Sequence, residues 1–280
     1  MERHEFLAAL HADLRPRNYL EIGVGTGLSM ALSRVPSIGV DPAFEVKSQI
    51  QTDVSLYRGA SDRFFARRDP IAYLQGGRNP WRNLRRNRPL LGRLIGRPTV
   101  DFAFIDGMHL FEFALRDFIN VERFASPATV IVLDDMLPRT SEEAARDRVT
   151  KDWTGDVYKL AGVLRRYRPD LIALTLDTQP TGLLVVLGAD RESSVLSDRL
   201  DEIVAANVVD GAAEEVPASV LAREDALDPR AFLATGWPRT IVTSRRLHRS
   251  ASATKARLQR DLAPLLAGPP RAATSEGVSL

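Results

Sequence analysis

The sequence predicts an α/β fold, a doubly wound and mostly parallel sheet of seven strands with an antiparallel hairpin at one edge. Seven apolar runs of about four to six residues recur along the chain, each bounded by turn residues. The runs are mostly apolar at consecutive positions, as in strands that are buried on both faces. Helical patterns lie between several of these runs, and such alternation is typical of a doubly wound sandwich.

The predicted strands follow one another in chain order. They are Tyr19–Ile22, Ser37–Val40, Val54–Tyr57, Val100–Ile105, Thr129–Leu133, Leu171–Leu176 and Gly182–Leu187. The last two are separated only by the segment DTQPTG, which is too short for a crossover helix. We therefore expect these two strands to form the antiparallel edge hairpin.

Amphipathic patterns predict helices around this sheet. The N-terminus is expected to form a helix whose apolar face carries Phe6, Leu7, Leu10 and Leu14. The segment GLSMALSRV, residues 27–35, is expected to begin a helix directly after the first strand. The other helices of the sheet unit are predicted at Ser61–Leu74, Phe111–Phe124 and Val157–Tyr167.

The chain divides into a sheet unit and a charged extension. We predict a domain at residues 1–189 and a mainly helical extension with a flexible tail at residues 190–280. Within the extension, residues 190–230 carry eleven acids against four bases, and residues 239–271 carry eight bases against one acid. Residues 76–98 hold seven arginines and no acid, and their glycines and prolines predict a loop or broken helix.

Composition excludes several classes of protein. About 44% of residues are apolar and 26% charged, as in ordinary globular proteins, and no apolar run is long enough to span a bilayer. Because the chain has no cysteine, disulfides, thiolate metal sites and a cysteine nucleophile are excluded. The N-terminus lacks the apolar core of a signal peptide, so we expect a cytoplasmic location. Among the aromatic residues only Trp81 is interleaved with the basic segments, which disfavours nucleic-acid binding.

A glycine-rich turn follows the first predicted strand. In LEIGVGTGL, residues 20–28, Gly23, Gly25 and Gly27 stand at alternate positions. Small residues at such a strand-to-helix turn let a ligand approach backbone N–H groups. The dinucleotide fingerprint G-x-G-x-x-G fails because Leu28 stands in place of its last glycine. A tight turn without a ligand is the alternative interpretation.

Aspartates end three further strands. Asp41 ends the second strand, where a carboxylate can bind both hydroxyls of a ribose. Asp106, Asp134 and Asp135 end the fourth and fifth strands, which we expect to be neighbours. Clustered carboxylates repel one another unless a cation joins them, and oxygen ligands suit Mg²⁺ or Mn²⁺. Alternatively, strand-end aspartates cap a following helix.

These motifs together resemble a known enzyme family. The acid-x-Gly-x-Gly-x-Gly pattern of Glu21–Gly27 resembles the first motif of class I S-adenosylmethionine-dependent methyltransferases. FIDGMHLFEFALRDFINVERFASPATVIVLDD, residues 104–135, resembles sugar and antibiotic O-methyltransferases of the macrocin type, with their cephalosporin-hydroxylase-like and rhamnosyl methyltransferase relatives. The usual D-G-D-H is here D-G-M-H, so Met108 replaces an acid.

The resemblance implies roles for individual residues. It implies that S-adenosylmethionine is bound by Glu21, Gly23, Gly25, Gly27, Asp41, Ser61 and Asp62, the last two at the edge of the adenine. It places a divalent cation on Asp106, Asp134 and Asp135, and it makes His109 the general base beside the catalytic Asp106.

We therefore expect an O-methyltransferase that acts on a hydroxyl of a sugar, glycan or secondary metabolite and uses Mg²⁺ or Mn²⁺. The alternatives are a methyltransferase that needs no metal, and a non-catalytic subunit that binds a partner through its charged C-terminal third. Acceptor selection is expected from the N-terminal helix, the arginine-rich segment 76–98 and residues 138–156. Assembly into a homo-oligomer is left open.

Overall fold

Backbone pairing joins seven strands into one sheet. They are β1 (Tyr19–Ile22), β2 (Ser37–Asp41), β3 (Val54–Arg58), β4 (Phe102–Ile105), β5 (Val130–Leu133), β6 (Ile172–Leu176) and β7 (Leu183–Leu187). The computed structural model describes residues 1–74, 98–208 and 215–266. Across the sheet the order is β3-β2-β1-β4-β5-β7-β6, and β7 is antiparallel to both of its neighbours while the other pairs are parallel. The predicted fold class and its edge hairpin are confirmed.

Helices flank both faces of the sheet. They are α1 (Arg3–Leu14), α2 (Ser61–Arg67), α3 (Pro70–Leu74), α4 (Phe111–Glu122), α5 (Lys159–Tyr167), α6 (Val195–Asp198), α7 (Leu200–Asn207), α8 (Ala218–Leu221), α9 (Pro229–Ala234), α10 (Trp237–Leu247) and α11 (Ala251–Leu266). The predicted helix at Ser61–Leu74 is two helices, since the residue before Pro70 is disfavoured in helical conformation. The side chain of that residue, Asp69, caps α3 through the Ile71 N–H at 2.8 Å.

The helix predicted directly after β1 is wrong. Only one 3₁₀ turn, Met30–Leu32, forms between the glycine turn and β2. Two serines of this segment bond elsewhere: Ser29 donates to Glu21 at 2.6 Å, and Ser33 pairs with the hydroxyl of Ser37 at 2.9 Å. Serine side chains that bond locally compete with helix formation, and here they tie a short segment to β1 and β2.

Each face of the sheet carries its own apolar core. Along β4, Ala103 and Ile105 point into one core, with residues of α4, α5 and α7. Phe102 and Phe104 point into the other, with residues of α1, α9, α10 and α11. The alternation follows from the two-residue period of a strand, and it explains why the predicted strands are apolar at consecutive positions.

The C-terminal helices complete the second face of the sheet. Phe232 and Trp237 are fully buried there, 4.9 Å apart between ring centroids. The buried Arg245 of α10 donates to the Leu14 carbonyl at 2.9 Å and lies 3.5 Å from the Asp101 carboxylate. The described part of the predicted extension 190–280 is therefore helical and shares a core with the sheet, while the boundary at residue 189 stays a prediction.

Residues 76–97 of the arginine-rich segment and residues 267–280 of the predicted tail lie outside the described ranges. Within those ranges, none of the helices combines the length and apolar character that crossing a bilayer requires. The cytoplasmic location stays a prediction.

A buried histidine makes the stability of this fold depend on pH. The His11 ring lies edge-on to Tyr19 and Phe102, with centroids 4.8 and 4.9 Å away, and its buried Nε2 has no hydrogen-bond partner among the described residues. Burial, with a smaller contribution from the charge of Arg34, lowers the pKa of His11 to about 4. Between about pH 6.5 and pH 4 the unfolded chain therefore takes up a proton that the folded protein excludes.

We predict that His11→Phe removes this acid sensitivity. Lowering the pH from about 7.5 to 5 should cost the wild type about 2 kcal/mol of unfolding free energy more than it costs the variant. Urea unfolding at the two pH values measures the difference. His248→Gln, which changes an exposed histidine, is the control and should leave the pH dependence as in the wild type. An unchanged pH dependence in His11→Phe would contradict the prediction.

Candidate active site

The carboxyl ends of the parallel strands open onto a cleft of about 760 Å³. Open parallel sheets bind their ligands at this edge. One side of the cleft is formed by the turn after β1, the end of β2, the start of α2 and the loop after β4. The cleft is also lined by the N-terminus of α1 and by residues 148–154.

The glycine turn at the bottom of the cleft depends on close backbone contact. Gly23, Gly25 and Gly27 have φ values of +87°, +50° and +81°, a region that side chains disfavour. A Cβ on Gly23 would lie 1.7 Å from the Asp106 carbonyl oxygen, so only glycine lets β1 and β4 end side by side here. A Cβ on Gly25 would meet no atom within 4 Å, since this glycine borders the open cleft.

Glu21, a predicted cofactor ligand, lies beneath the turn and does not line the cleft. Its fully buried carboxyl accepts hydrogen bonds from the Tyr19 hydroxyl at 2.7 Å and from Ser29 at 2.6 Å. Burial raises the pKa of Glu21 to about 8, although the two hydroxyls oppose the shift. In this arrangement Glu21 supports the turn from below.

Asp41 links the end of β2 to the glycine turn. One carboxylate oxygen accepts the Gly25 N–H at 2.8 Å, and the other accepts the Ala43 N–H at 2.5 Å. The residue is 9% exposed and borders the cleft. The structure therefore brings Asp41, Gly23 and Gly25 together.

The two predicted adenine-edge residues are separated. Ser61, at the start of α2, lines the cleft. Asp62 points towards α4, where it accepts from the Asn120 amide at 3.1 Å and lies 3.6 Å from the Arg116 guanidinium. Beside Ser61, the buried Asp117 of α4 lines the cleft in its place.

Three side chains form a cluster at the ends of β4 and β5. His109 Nε2 lies 3.4 Å from Asp106, and its Nδ1 lies 3.1 Å from Asp135. Nδ1 also donates to the Trp153 carbonyl at 2.7 Å. One ligand atom from each of these three residues lies within 4.8 Å of the other two, which is close enough for a shared metal ion.

Charge in this cluster shifts the pKa of the half-buried His109 and of the buried Asp135. Burial lowers the pKa of His109, but Asp106 and Asp135 outweigh that effect and raise it to about 9. Burial and the charge of Asp106 raise the pKa of Asp135 to about 6, against smaller effects of His109, Thr181 and Arg3. His109 is therefore protonated at neutral pH in this arrangement, whereas a general base must be neutral to accept a proton.

Asp134, the third predicted metal ligand, has a different partner. One of its oxygens pairs with the Arg3 guanidinium, and the other accepts the Asp135 N–H at 2.9 Å. The same Arg3 nitrogen lies 3.4 Å from Asp106. Asp135 has a φ of +62°, which turns the chain between the two aspartates and aims their side chains at different partners. The structure thus joins Asp106 and Asp135 with His109 and pairs Asp134 with Arg3.

The segment after β5 supports His109 from above. The Trp153 ring stacks on the imidazole, with centroids 5.3 Å apart and an interplanar angle of 14°. Asp156 ties this segment to α4 through the Phe111 N–H at 2.8 Å, and it pairs at 2.8 Å with Arg146, which in turn pairs with Glu112 of α4 at 2.7 Å. A Cβ on Gly155 would lie 1.5 Å from the His109 carbonyl oxygen, so the segment can pack this closely only with glycine there.

Sequence reasoning missed two charged residues of the cleft. Asp117 had a signal, because it stands on the apolar stripe of α4, one turn from both Ala114 and Val121. Arg3 had none, because nothing local marks its pairing with aspartates more than 100 residues away.

Comparison with known proteins supports the methyltransferase interpretation of this site. Residues 20–136, which include every predicted site residue, match the model of a family described as a methyltransferase domain. No curated protein matches the chain.

Solved structures give low-identity matches. The O-methyltransferase TomG of Streptomyces achromogenes, in complex with SAM, is 17% identical, with 66% of this chain and 78% of that chain covered and a TM-score of 0.43. An O-methyltransferase of Bacillus cereus, in complex with SAH, is 18% identical, with coverages of 66% and 80% and a TM-score of 0.36. The SAH-bound methyltransferase PaMTH1 of Podospora anserina is 14% identical, with coverages of 66% and 77% and a TM-score of 0.43.

The match to the methyltransferase-domain model covers residues 20–136, which include the strand ends that build the cleft, and it confirms the predicted enzyme class, a methyltransferase.

Proposed function

We propose that this protein is an S-adenosylmethionine-dependent O-methyltransferase acting on a hydroxyl of a sugar, glycan or secondary metabolite. One observation carries the proposal: a single cleft joins the glycine turn and Asp41 to the cluster of Asp106, His109 and Asp135. The first part suits a nucleoside cofactor, and the second suits a hydroxyl that must lose its proton.

The cofactor is proposed to lie along the strand ends. Asp41, at the end of β2, is placed to accept hydrogen bonds from ribose hydroxyls. The open side of Gly25 lets the methionyl part approach the backbone of the turn. The methyl group would then face the end of β4, because Gly23 is in direct contact with Asp106 there.

Methyl transfer is an in-line displacement, so the protein contributes mainly by positioning and by handling the acceptor proton. His109, between two carboxylates and under Trp153, is held in one orientation towards the cleft. We propose that His109 takes up the proton of the acceptor hydroxyl when a further positive charge balances the two carboxylates beside it. Without that further charge, His109 is already protonated at neutral pH, because the carboxylates raise its pKa to about 9.

The donor set of the cluster fits a divalent cation. Oxygens of Asp106 and Asp135 lie within 4.8 Å of each other and of the His109 ring, and carboxylates are ligands that Mn²⁺ and Mg²⁺ prefer. Asp106 and Asp135, with His109 beside them, would hold the ion, and Asp134 could join only by releasing Arg3. When bound, the ion would lower the pKa of an acceptor hydroxyl.

The pairing of Arg3 favours a second candidate, a methyltransferase that needs no metal. Its guanidinium already supplies a positive charge to Asp134 and Asp106. Transfer of a labelled methyl group to a panel of hydroxylated acceptors, with and without a chelator, separates the candidates. Loss of transfer with the chelator supports the metal-dependent enzyme, and undiminished transfer supports the second candidate. A protein that binds no cofactor in calorimetry would instead be the non-catalytic subunit.

Asp41→Ala is predicted to weaken binding of S-adenosylhomocysteine by about 10- to 100-fold, because a charged acceptor of the ribose hydroxyls is lost. Isothermal titration calorimetry measures the affinity. Asp13→Ala, which changes an exposed carboxylate of α1 away from the cleft, should leave the affinity unchanged. Equal affinities for Asp41→Ala and the wild type would remove the ribose site from the proposal.

Asp106→Asn and Asp135→Asn are each predicted to weaken Mn²⁺ binding to the cofactor-free protein by at least about tenfold, because each removes a charged ligand. Electron paramagnetic resonance of free Mn²⁺ measures this without any turnover. Asp152→Asn is the matched control, since its carboxylate is 65% exposed at the rim of the same cleft. If the two cluster variants bound Mn²⁺ as the wild type does, the metal site would be refuted.

Arg3→Gln is predicted to tighten Mn²⁺ binding by about tenfold, because a positive charge leaves the neighbourhood of two carboxylates. The same Mn²⁺ titration applies, with Arg15→Gln at the exposed end of α1 as control. Weaker binding in Arg3→Gln would mean that Arg3 orients the metal ligands instead of competing with the ion.

A further inference from the structure

The cleft contains a buried carboxyl group that the chemistry proposed above does not use. Asp117 of α4 is 2% exposed and lines the cleft wall. Its Oδ2 lies against the loop after β4, since a Cβ on Gly107 would come within 3.0 Å of it. A buried carboxyl group costs folding free energy unless it has partners, and this one borders the space that a ligand would occupy.

The sheet order shows which end of a bound cofactor this carboxyl group faces. Apart from β7 and β6 at the far edge, the strands lie in the order β5, β4, β1, β2 and β3. In the same order, these strands are followed by Asp135, Asp106, the glycine turn, Asp41 and Ser61. A cofactor with its reactive centre at Asp106 and its ribose at Asp41 must extend its base towards Ser61. Asp117 and Ser61 both line the cleft, and Ser61 is near enough to lower the pKa of Asp117, so Asp117 lies at the end of the cleft that the base reaches.

The hydrogen-bonding capacity of Asp117 selects one kind of base edge. An ionised carboxylate only accepts hydrogen bonds, so it suits a base edge that donates. Adenine presents an exocyclic amine, which donates, whereas hypoxanthine presents a carbonyl oxygen at the same position, which a carboxylate repels. Burial and the charge of Asp62 raise the pKa of Asp117 to about 7, while Ser61 and Arg116 lower it, so the group is ionised in mildly alkaline solution.

We propose that Asp117 is a specificity-determining residue that accepts a hydrogen bond from the exocyclic amine of the cofactor's adenine. Its neighbour Ser61 orients the carboxylate, and Gly107 leaves the room that the base edge needs. The inference rests on the proposed use of S-adenosylmethionine, and it adds the residue by which this chain would tell adenine from a deaminated base.

The test compares S-adenosylhomocysteine with S-inosylhomocysteine, in which a carbonyl oxygen replaces the amine. Affinities are measured by calorimetry at about pH 8.5, where the carboxylate is ionised. The wild type should prefer the adenosyl ligand by about 10- to 100-fold, the size expected for a hydrogen bond to a charged group. Asp117→Asn should reduce that preference to within about threefold, because the amide can donate to the carbonyl oxygen as well as accept from the amine.

The preference is a ratio measured on one protein preparation, so partial loss of folded protein does not change it. Asp117→Ser provides a second, smaller replacement and should also lose the preference. Asp69→Asn, at the exposed cap of α3, is the control and should keep it.

Three outcomes would overturn the inference. An undiminished preference in Asp117→Asn would show that another group reads the base. A preference that is lost in Asp62→Asn but kept in Asp117→Asn would assign the role to Asp62. Failure of the wild type to bind S-adenosylhomocysteine at all would overturn the proposed function together with the inference.

Discussion

The site depends on one backbone contact, the approach of the turn after β1 to the end of β4. With no side chain on Gly23, the turn lies directly against the Asp106 carbonyl, where a Cβ would be 1.7 Å away. The Asp106 N–H in turn donates to the Ile22 carbonyl at 2.8 Å. This contact joins the half of the cleft that suits a nucleoside to the half that holds the carboxylates. Any side chain at position 23 would separate the two, whatever its chemistry.

The sequence predicts most of the sheet because its strands are defined locally. Each strand is buried on both faces, so it appears as a short apolar run between turn residues, and all seven are confirmed. The helix expected after the glycine turn is wrong because Ser29 and Ser33 bond to β1 and β2 instead of prolonging the 3₁₀ turn. Which strand ends carry acids was therefore predictable, but the local backbone between them was not.

The candidate site was predictable only in part, since adjacent residues can have different partners. Asp134 and Asp135 are equivalent in the sequence, yet a left-handed backbone at Asp135 sends one side chain to Arg3 and the other to His109. That choice depends on an arginine at the other end of the chain, which no local pattern marks. The raised pKa of His109 has the same origin, because it results from two carboxylates brought together by separate strands.

The position of Arg3 makes the site depend on the C-terminal third of the chain, although the methyltransferase-domain match ends at residue 136. Arg3 begins α1, and α1 is held by the second core, where Phe6 lies 6.3 Å from Phe232 between ring centroids. At the other end of the helix, Arg245 of α10 donates to the Leu14 carbonyl. The C-terminal helices therefore hold α1 against the sheet. Because α1 is attached at both ends in this way, the position of Arg3 beside Asp134 and Asp106 depends on packing against residues more than 200 positions further along the chain.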